Sequence, residues 1–397
     1  MKKSMSRAHG SAPVVAHFRR LWFKRTETFL HTAVRSARRT RPLLIGHEHV
    51  HAGEFPVDAP VVALCPPGSW AQRRNHWNAR YLGGELEAPL RGRRARAALR
   101  RFDAVVLHAH FGTTGVAVLP LAVKSGLPLV TTFYGEDVSS LARDSAWRAR
   151  YAPLFADGAR FLVEGPRMRE ALVALGCPVE KTALQPISIE TCRYPFRLRS
   201  APRSRPVRLF FCASFREKKG LHFALEAVAR ARAEHPNLVF RIGGDGPLRA
   251  AVERDLERLG LRDCTELLGF LPHARMLEEM HAADLFVQPS VTAADGDSEG
   301  GAPTTLLEAQ ACGLPVLATT HADLPHVVAP GESALLAPER DAEALARNLL
   351  ELLKAPERWG PMGEAGREHV ERFHEAERAA DRVEDLYLEL AQGSAAP

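Results

Sequence analysis

The stretch "RLFFCASFREKKGLHFALEAVARARAEHPNLVFRIGGDGP", Arg208 to Pro247, decides the fold. An apolar run at 208–214 reads as a strand. A polar loop follows, and Gly220 opens a helical pattern through 234. A second apolar run at 238–244 then ends in glycines. Strand, helix and strand in that order predict a βαβ unit and a parallel sheet. The loop after the first strand carries Arg216, Lys218 and Lys219. Cations at a strand's carboxyl end beside a helix start suit a phosphate, although two adjacent lysines also suit plain solvent. In the second loop Gly243, Gly244 and Gly246 permit tight turns and close approach of backbone to a ligand, and Pro247 suits a first helical position. The dinucleotide fingerprint is not met, for want of its third spaced glycine.

The same alternation extends both ways. Upstream, strands are expected at 13–18, 42–47, 60–65, 104–110, 128–134, 160–165 and 182–186, with helices at 114–125 and 166–176 among them. Downstream, strands are expected at 265–270, 284–290, 315–320 and 334–338, with helices at 247–259, 273–282, 303–312 and 341–354. Between the halves, "FRLRSAPRSRPVR" (Phe196–Arg208) is dense in Pro, Ser and Arg and reads as a linker. The segment "GREHVERFHEAERAADRVEDLYLELA" spaces Val370, Phe373, Ala380, Val383, Leu386 and Leu390 by helical steps, so one long amphipathic helix is expected, docked on structure already built. The expected layout is domain 1–198, linker 199–207, domain 208–369 and helix 370–392. Ligands of doubly wound sheets sit at the carboxyl ends of strands.

The bulk numbers agree with two domains. The chain has 397 residues, of which 46% are hydrophobic, and no apolar run long enough to span a membrane. The basic start lacks a clean apolar h-region, because Arg19 and Arg20 interrupt it, so no secretory signal is expected. Six cysteines without CxxC pairs argue against a zinc site or a disulfide scaffold and favour a cytoplasmic protein. Charge is uneven. Residues 1–200 hold 31 Lys and Arg against 15 Asp and Glu, whereas the rest hold 22 against 32. Three stretches carry the excess, "RRLWFKR" (19–25), "RSARRTR" (35–41) and "RGRRARAALRR" (91–101). They suit a polyanion or an anionic membrane, or are simply a solvated basic surface. Aromatic residues interleave only one of them, and no nucleic-acid module is recognisable, so no nucleic-acid partner is expected.

The densest chemistry lies in "DSEGGAPTTLLEAQACGLPV", Asp297 to Val316. Pro303 suits a helix start and Gly313 a helix end. Glu308 lies in that helix, where a carboxylate can take both hydroxyls of a ribose. The amides of Thr304 and Thr305 at the helix start can face a phosphate or a sugar. Just upstream, Asp295 and Asp297 in "DGD" could hold a divalent cation but read better as a turn.

In order, "ASFREKKG", "GGDGP", "GFLP", "AADLFVQPS" and "EGGAPTTLLEAQACGLPV" resemble the signature of the retaining glycosyltransferases of family 4. "TETFL" (26–30), "LHAHFG" (107–112), "TTFYGEDVS" (131–139) and "VEGPRMREALVALGCPVEK" (163–181) extend the resemblance over nearly the whole chain, nearest to bacterial enzymes that build exopolysaccharide of the colanic-acid type. The resemblance implies an α/β GT-B fold: two Rossmann-like doubly wound parallel-sheet domains facing across a cleft, with a C-terminal helix crossing back. It implies a metal-independent hexosyltransferase without a cofactor, which takes a nucleotide diphosphate sugar as co-substrate and a glycan or lipid-diphosphate-linked acceptor. A place on the inner face of the cell membrane would use the basic first half. Glu299, Lys219, Arg216 and Tyr134 would then be catalytic. Glu308, Thr304, Thr305, Gly244, Gly246, Phe270 and Ser214 would bind the donor. Thr26, His110 and Asp137 would lie on the acceptor side.

Three positions depart from the pattern. Eight residues rather than seven separate Glu299 from Glu308, so a straight count back lands on Gly300: either the loop bulges to deliver Glu299 or backbone groups replace it. Ser214 stands where an arginine is usual, which leaves that task to Arg216. Tyr134 replaces a histidine, and its hydroxyl can donate a hydrogen bond but does not titrate near neutrality. Two other readings share these features, a nucleotide-sugar-binding subunit without catalysis and a nucleotide-sugar 2-epimerase.

Overall fold

The computed structural model describes residues 12–65, 68–70, 89–202 and 204–393. Residues 1–11, the greater part of the stretch weighed as a secretory signal, and residue 203 of the linker lie outside them. Contacts divide the chain into two compact units. One is Met1–Phe133 with Arg150–Leu162 and Ala380–Pro397; the other is Tyr134–Ala149 with Val163–Ala379.

The first sheet is built from β1 (Val14–Phe18), β3 (Arg41–Gly46), β5 (Val61–Ala63), β6 (Ala104–His110), β7 (Leu129–Thr132), β8 (Arg160–Val163) and β9 (Thr182–Leu184), in the order β5-β3-β1-β6-β7-β8-β9. A two-residue pair, β2 (Leu21–Trp22) with β4 (Glu48–His49), stands apart. The second sheet holds β10 (Val207–Cys212), β11 (Leu238–Gly243), β12 (Thr265–Gly269), β13 (Leu285–Gln288), β14 (Val316–Thr319) and β15 (Ala334–Ala337), in the order β12-β11-β10-β13-β14-β15. The pairings within it are parallel. The order reverses between β10 and β13, and such a reversal opens a crevice beyond the carboxyl ends of the two strands.

Alternation along β10 shows why its apolar run is continuous. Leu209 and Phe211 join one buried cluster with Leu225, Val228, Leu345 and Leu349 from helices Leu221–Glu234 and Ala342–Lys354. Phe210 and Cys212 join the other with Met276, Met280, Leu306 and Leu307 from helices His273–Ala282 and Thr304–Ala311. Both faces are covered, so no polar alternation survives. Apart from the C-terminal helix, the strands and helices expected from sequence lie within two residues of their expected bounds. Helices Thr28–Arg35, Pro89–Arg101 and Ser145–Asp157 were not read from the sequence.

The C-terminal helix expected to be continuous is two, Trp359–Phe373 and Ala376–Gly393. At the break His374 leaves the helical region (φ −124°, ψ 13°), and its carbonyl accepts from the Ile189 amide at 2.9 Å. The Ile189 carbonyl then accepts from the Ala376 amide at 3.0 Å. A bridge to a neighbouring extended segment thus takes the groups that a continuous helix would have paired. Phe373, expected in the apolar stripe, is 44% exposed.

In the first unit, Glu384 on the last helix is fully buried. It accepts from the amides of Arg38, Arg39 and Thr40 at 3.1, 2.9 and 2.7 Å, and from Thr40 Oγ1 at 2.7 Å. Arg199, in the expected linker, is buried within the second unit. Its guanidinium donates to the carbonyls of Met280, His281, Ala283 and Cys312. Burial lowers its pKa to about 10, with Arg197 as the next cause.

Candidate functional site

The loop after β10 and the turn after β13 meet at the crevice of the second sheet. Gly220 has φ +64°, and a Cβ there would come within 1.7 Å of the Pro289 carbonyl oxygen, so only glycine lets these backbones touch. The Val291 amide donates to the Lys218 carbonyl at 2.9 Å. Gly244 (φ +127°) presses the glycine loop against the Ala213 carbonyl, and Gly246 packs on the Phe215 backbone. Both loops that sequence marked as ligand-binding therefore stand at the mouth of β10, with Ser214 half-buried between its neighbours.

Lys219 and Glu299 come together there. Nζ donates to Glu299 Oε2 at 2.6 Å, and Ser290 Oγ donates to Oε1 at 2.8 Å. Burial works to raise the Glu299 pKa, but the charges of Lys219 and Lys218 and the bonds from Lys219 and Ser290 hold it below the usual carboxylate value. The chain turns at Gly300 (φ +80°) directly after Glu299, so the side chain one residue beyond the expected spacing reaches Lys219. Lys218 pairs with Asp297 at 3.0 Å and also donates to the Ser298 carbonyl. Asp295 Oδ1 accepts from the Asp297 amide at 2.8 Å, the turn expected of "DGD". Arg216 is exposed, and no side-chain bond from it to the described residues is found.

The loop Glu299–Ala302 is packed closely from the other side, still within the second unit. A Cβ on Gly135 would lie 2.4 Å from the Glu299 carbonyl oxygen, and one on Gly301 would lie 1.8 Å from Glu164 Oε2. Tyr134 precedes Gly135 and is buried; its amide donates to Asp137 Oδ2 at 3.2 Å. Glu164 accepts from the Ala302 amide at 3.0 Å. Burial pushes its pKa well up, and the Asp323 and Glu299 charges add to that push against the Ala302 bond and Lys218.

Glu308 lies on the helix Thr304–Ala311, 4% exposed. Its Oε1 accepts from Tyr194 Oη at 2.9 Å and lies 3.4 Å from His273 Nε2. Its Oε2 is buried without a hydrogen-bond partner among the described residues. Burial raises the Tyr194 pKa, with Glu308 the next cause. Cys212 lies buried at the end of β10. Burial pushes its thiol up to about 12, Glu308 adds to the shift and Lys219 opposes it. Thr304 and Thr305 are half-buried at the helix start, and Phe270 is 59% exposed in the loop after β12.

Thr26 and His110 belong to the first unit. Thr26 is exposed. His110, the last residue of β6, is buried, and its Nε2 lies 3.2 Å from His17 Nδ1. With His108 these rings bring nitrogens within 4.8 Å of one another, a spacing a metal ion could use. They are already bonded as a network, however, for His108 meets Thr132 Oγ1 at 2.7 Å and Tyr387 Oη on its other nitrogen. Burial lowers the pKa of all three, to about 4 for His17.

Sequence reasoning missed Tyr194, His273, Ser290, Glu164, His321 and Glu339. Ser290 and Glu164 stand inside quoted motifs, and His321 directly follows an expected strand. Position at a strand's carboxyl end was the available signal for both Ser290 and His321.

Residues 196–369 match the family profile "Glycosyl transferases group 1" and residues 52–193 match "Glycosyltransferase Family 4". The chain is 37% identical over 252 residues to a colanic acid biosynthesis glycosyltransferase, WcaL, of Salmonella typhimurium, covering 63% of this chain and 62% of that one. It is 34% identical over 282 residues to WcaL of Escherichia coli K12, covering 70% and 69%. The alignments thus span about two thirds of these relatives. Among solved structures, Anabaena Alr3699/HepE in complex with UDP superposes with a TM-score of 0.75 at 14% identity, over 95% of this chain and 100% of that one. At that identity the likeness shows the fold alone, and the fold is GT-B.

Proposed function

The chain belongs to the group 1, family 4 glycosyltransferases, and from that premise we propose that it moves a sugar from a nucleotide diphosphate sugar to a glycan or lipid-linked acceptor during polysaccharide assembly. The observation that carries the reading is Glu308. One oxygen is held by Tyr194, and the other is buried with no partner among the described residues. A buried acceptor left unsatisfied costs about 1–3 kcal/mol, more when charged. A ribose hydroxyl donates the missing bond. UDP, present in the HepE structure, is the first nucleotide to consider.

The rest of the mechanism follows from the same reading. Arg216 and Lys219 meet the diphosphate, and Lys219 leaves part of its bond to Glu299 to do so. The amides of Thr304 and Thr305 add oriented N–H dipoles, so the departing charge is stabilised by protein groups and without a metal. Gly244, Gly246, Ser214 and Phe270 line the donor's path. The acceptor hydroxyl attacks the face from which the nucleotide leaves, with retention, and a phosphate oxygen takes its proton. Tyr134 then needs only to orient, with Asp137, Thr26 and His110 on the acceptor side. The division into an acceptor domain (1–198), a linker (199–207), a donor domain (208–369) and a returning helix (370–392) belongs to the same proposal.

Membrane contact rests on the helix Pro89–Arg101, where Arg93, Arg94, Arg100 and Arg101 are exposed. The other basic stretches are partly paired, Arg19 with Glu27 and Arg39 with Asp385. No described helix is long and apolar enough to cross a membrane. Peripheral attachment to anionic lipid through this helix, on the cytoplasmic side, is the form the proposal takes.

Turnover of labelled UDP-, GDP- and ADP-sugars tests the activity. Transfer or slow release of free sugar from one donor supports it. Tight nucleotide binding with no turnover of any donor would leave a binding subunit instead.

A further inference from the structure

The turn that carries Glu299 is also held by two residues outside every quoted motif, His321 and Glu339. His321 stands two residues beyond the end of β14 and is 1% exposed. Its Nε2 lies 3.1 Å from the Glu299 amide nitrogen and 3.1 Å from Ser298 Oγ. Its Nδ1 lies 2.8 Å from Glu339 Oε1. A backbone amide can only donate, so Nε2 must be the bare nitrogen. The proton therefore sits on Nδ1 and is donated to Glu339.

Glu339 is fixed in turn. Its other oxygen accepts from the Thr292 amide at 2.7 Å, in the segment just after β13. Burial works to raise its pKa, but the Thr292 amide and His321 outweigh it, so Glu339 lies below the usual carboxylate value. Carboxylate, imidazole and amide form one line, from the segment after β15 to the turn that presents Glu299.

We propose that Glu339 and His321 are positioning residues of the donor site: Glu339 locks His321 as the Nδ1–H tautomer, whose Nε2 lone pair anchors the Glu299 amide and so aims the Glu299 carboxylate at Lys219. The role of Glu299 and Lys219 at a donor rests on the proposed function; the tautomer and the anchor do not. One amide needs only one acceptor, and a serine would supply it. An imidazole oriented by a carboxylate supplies a single direction as well, the way outer groups orient a working ligand elsewhere.

The test has three arms on the full chain. Spectra of protein with ¹⁵N in the histidine rings, assigned by the signal lost in His321→Gln, are expected to show His321 protonated on Nδ1 and bare on Nε2. Protonation on Nε2, or a mixture, overturns the proposal. Hydrogen exchange of the segment 297–302 is expected to quicken at least about tenfold in His321→Phe, which fills the space without accepting. His321→Gln, whose amide oxygen can accept, is expected to stay within about threefold of wild type. Equal exchange in His321→Phe and wild type overturns the anchor. With labelled UDP-glucose as donor, His321→Phe is expected to lose about 100-fold in kcat with KM within about threefold, and His321→Gln to recover at least tenfold of that. Unchanged kcat in His321→Phe overturns the positioning role. A wild type that does not turn over UDP-glucose is assayed, with its variants, on whichever UDP-, GDP- or ADP-sugar it does turn over. Turnover of none counts against the proposed function, and the spectra and exchange then decide the anchor alone.

Discussion

Lys219 Nζ and Glu299 Oε2 lie 2.6 Å apart, with the two side chains 16% and 6% exposed. Two residues 80 apart in sequence are brought together because the loop after β10 and the loop after β13 meet at the strand-order reversal of the second sheet. The pair holds a positive and a negative group at the crevice, and on the proposed function an incoming diphosphate competes with Glu299 for Lys219.

Breaking that pair leaves a buried charge. Lys219→Met is expected to destabilise the protein in urea by roughly 3 kcal/mol, the lower end for a severed buried pair, because Lys218 remains nearby. Adding Glu299→Gln is expected to return at least about 1 kcal/mol. Strict additivity of the two substitutions would show that the pair is not coupled.

Glu164 makes stability fall as pH rises. Its folded pKa is raised, by burial first and then by Asp323 and Glu299. Above the ordinary glutamate pKa of about 4.3 the unfolded chain releases this proton while the folded chain retains it, which favours unfolding. Glu164→Gln keeps an acceptor for the Ala302 amide and removes the titration. Its melting temperature is expected to match wild type near pH 4 and to exceed it by a growing margin, a few degrees, by pH 8. A difference constant across that range would contradict the buried neutral acid.

Glu384 satisfies three backbone amides and one hydroxyl in the first unit. Glu384→Ala leaves them buried and unpaired, at about 1–3 kcal/mol for each group that water cannot reach. Thermal unfolding should begin at least about 5 °C lower. An unshifted curve would mean that water takes over all of these bonds.

Much of the fold was legible because its determinants are local. The periodicity of 208–247 announced a βαβ unit, and Gly220 and Gly313 marked a helix start and a helix end that the structure bears out, both at positive φ. The break at His374 was not legible, since the helical pattern runs straight through it and the cause is a distant extended segment at Ile189. The partners of the site were hidden for the same reason. Tyr194 meets Glu308 across 114 residues, Glu164 meets Ala302 across 138, and His321 meets Glu299 across 22. None of these pairings has a period, so only the assembled sheet brings them together. The extra residue between Glu299 and Glu308 shows the converse. Spacing alone left open how a glutamate could be delivered, and one turn at Gly300 places its side chain against Lys219.

The central claim is that Glu308 offers its unpartnered oxygen to a nucleotide ribose. The direct measurement is calorimetric titration of UDP into wild type, Glu308→Gln and Glu308→Ala, each checked for unchanged thermal unfolding without ligand. Loss of a charged acceptor for a hydroxyl is expected to cost about 1.5–3 kcal/mol, a roughly 10- to 100-fold weaker Kd in Glu308→Ala. Glu308→Gln should fall between the two, because it keeps the shape but loses the charge. A wild type that binds UDP and a Glu308→Ala variant that binds it equally well would contradict the assignment.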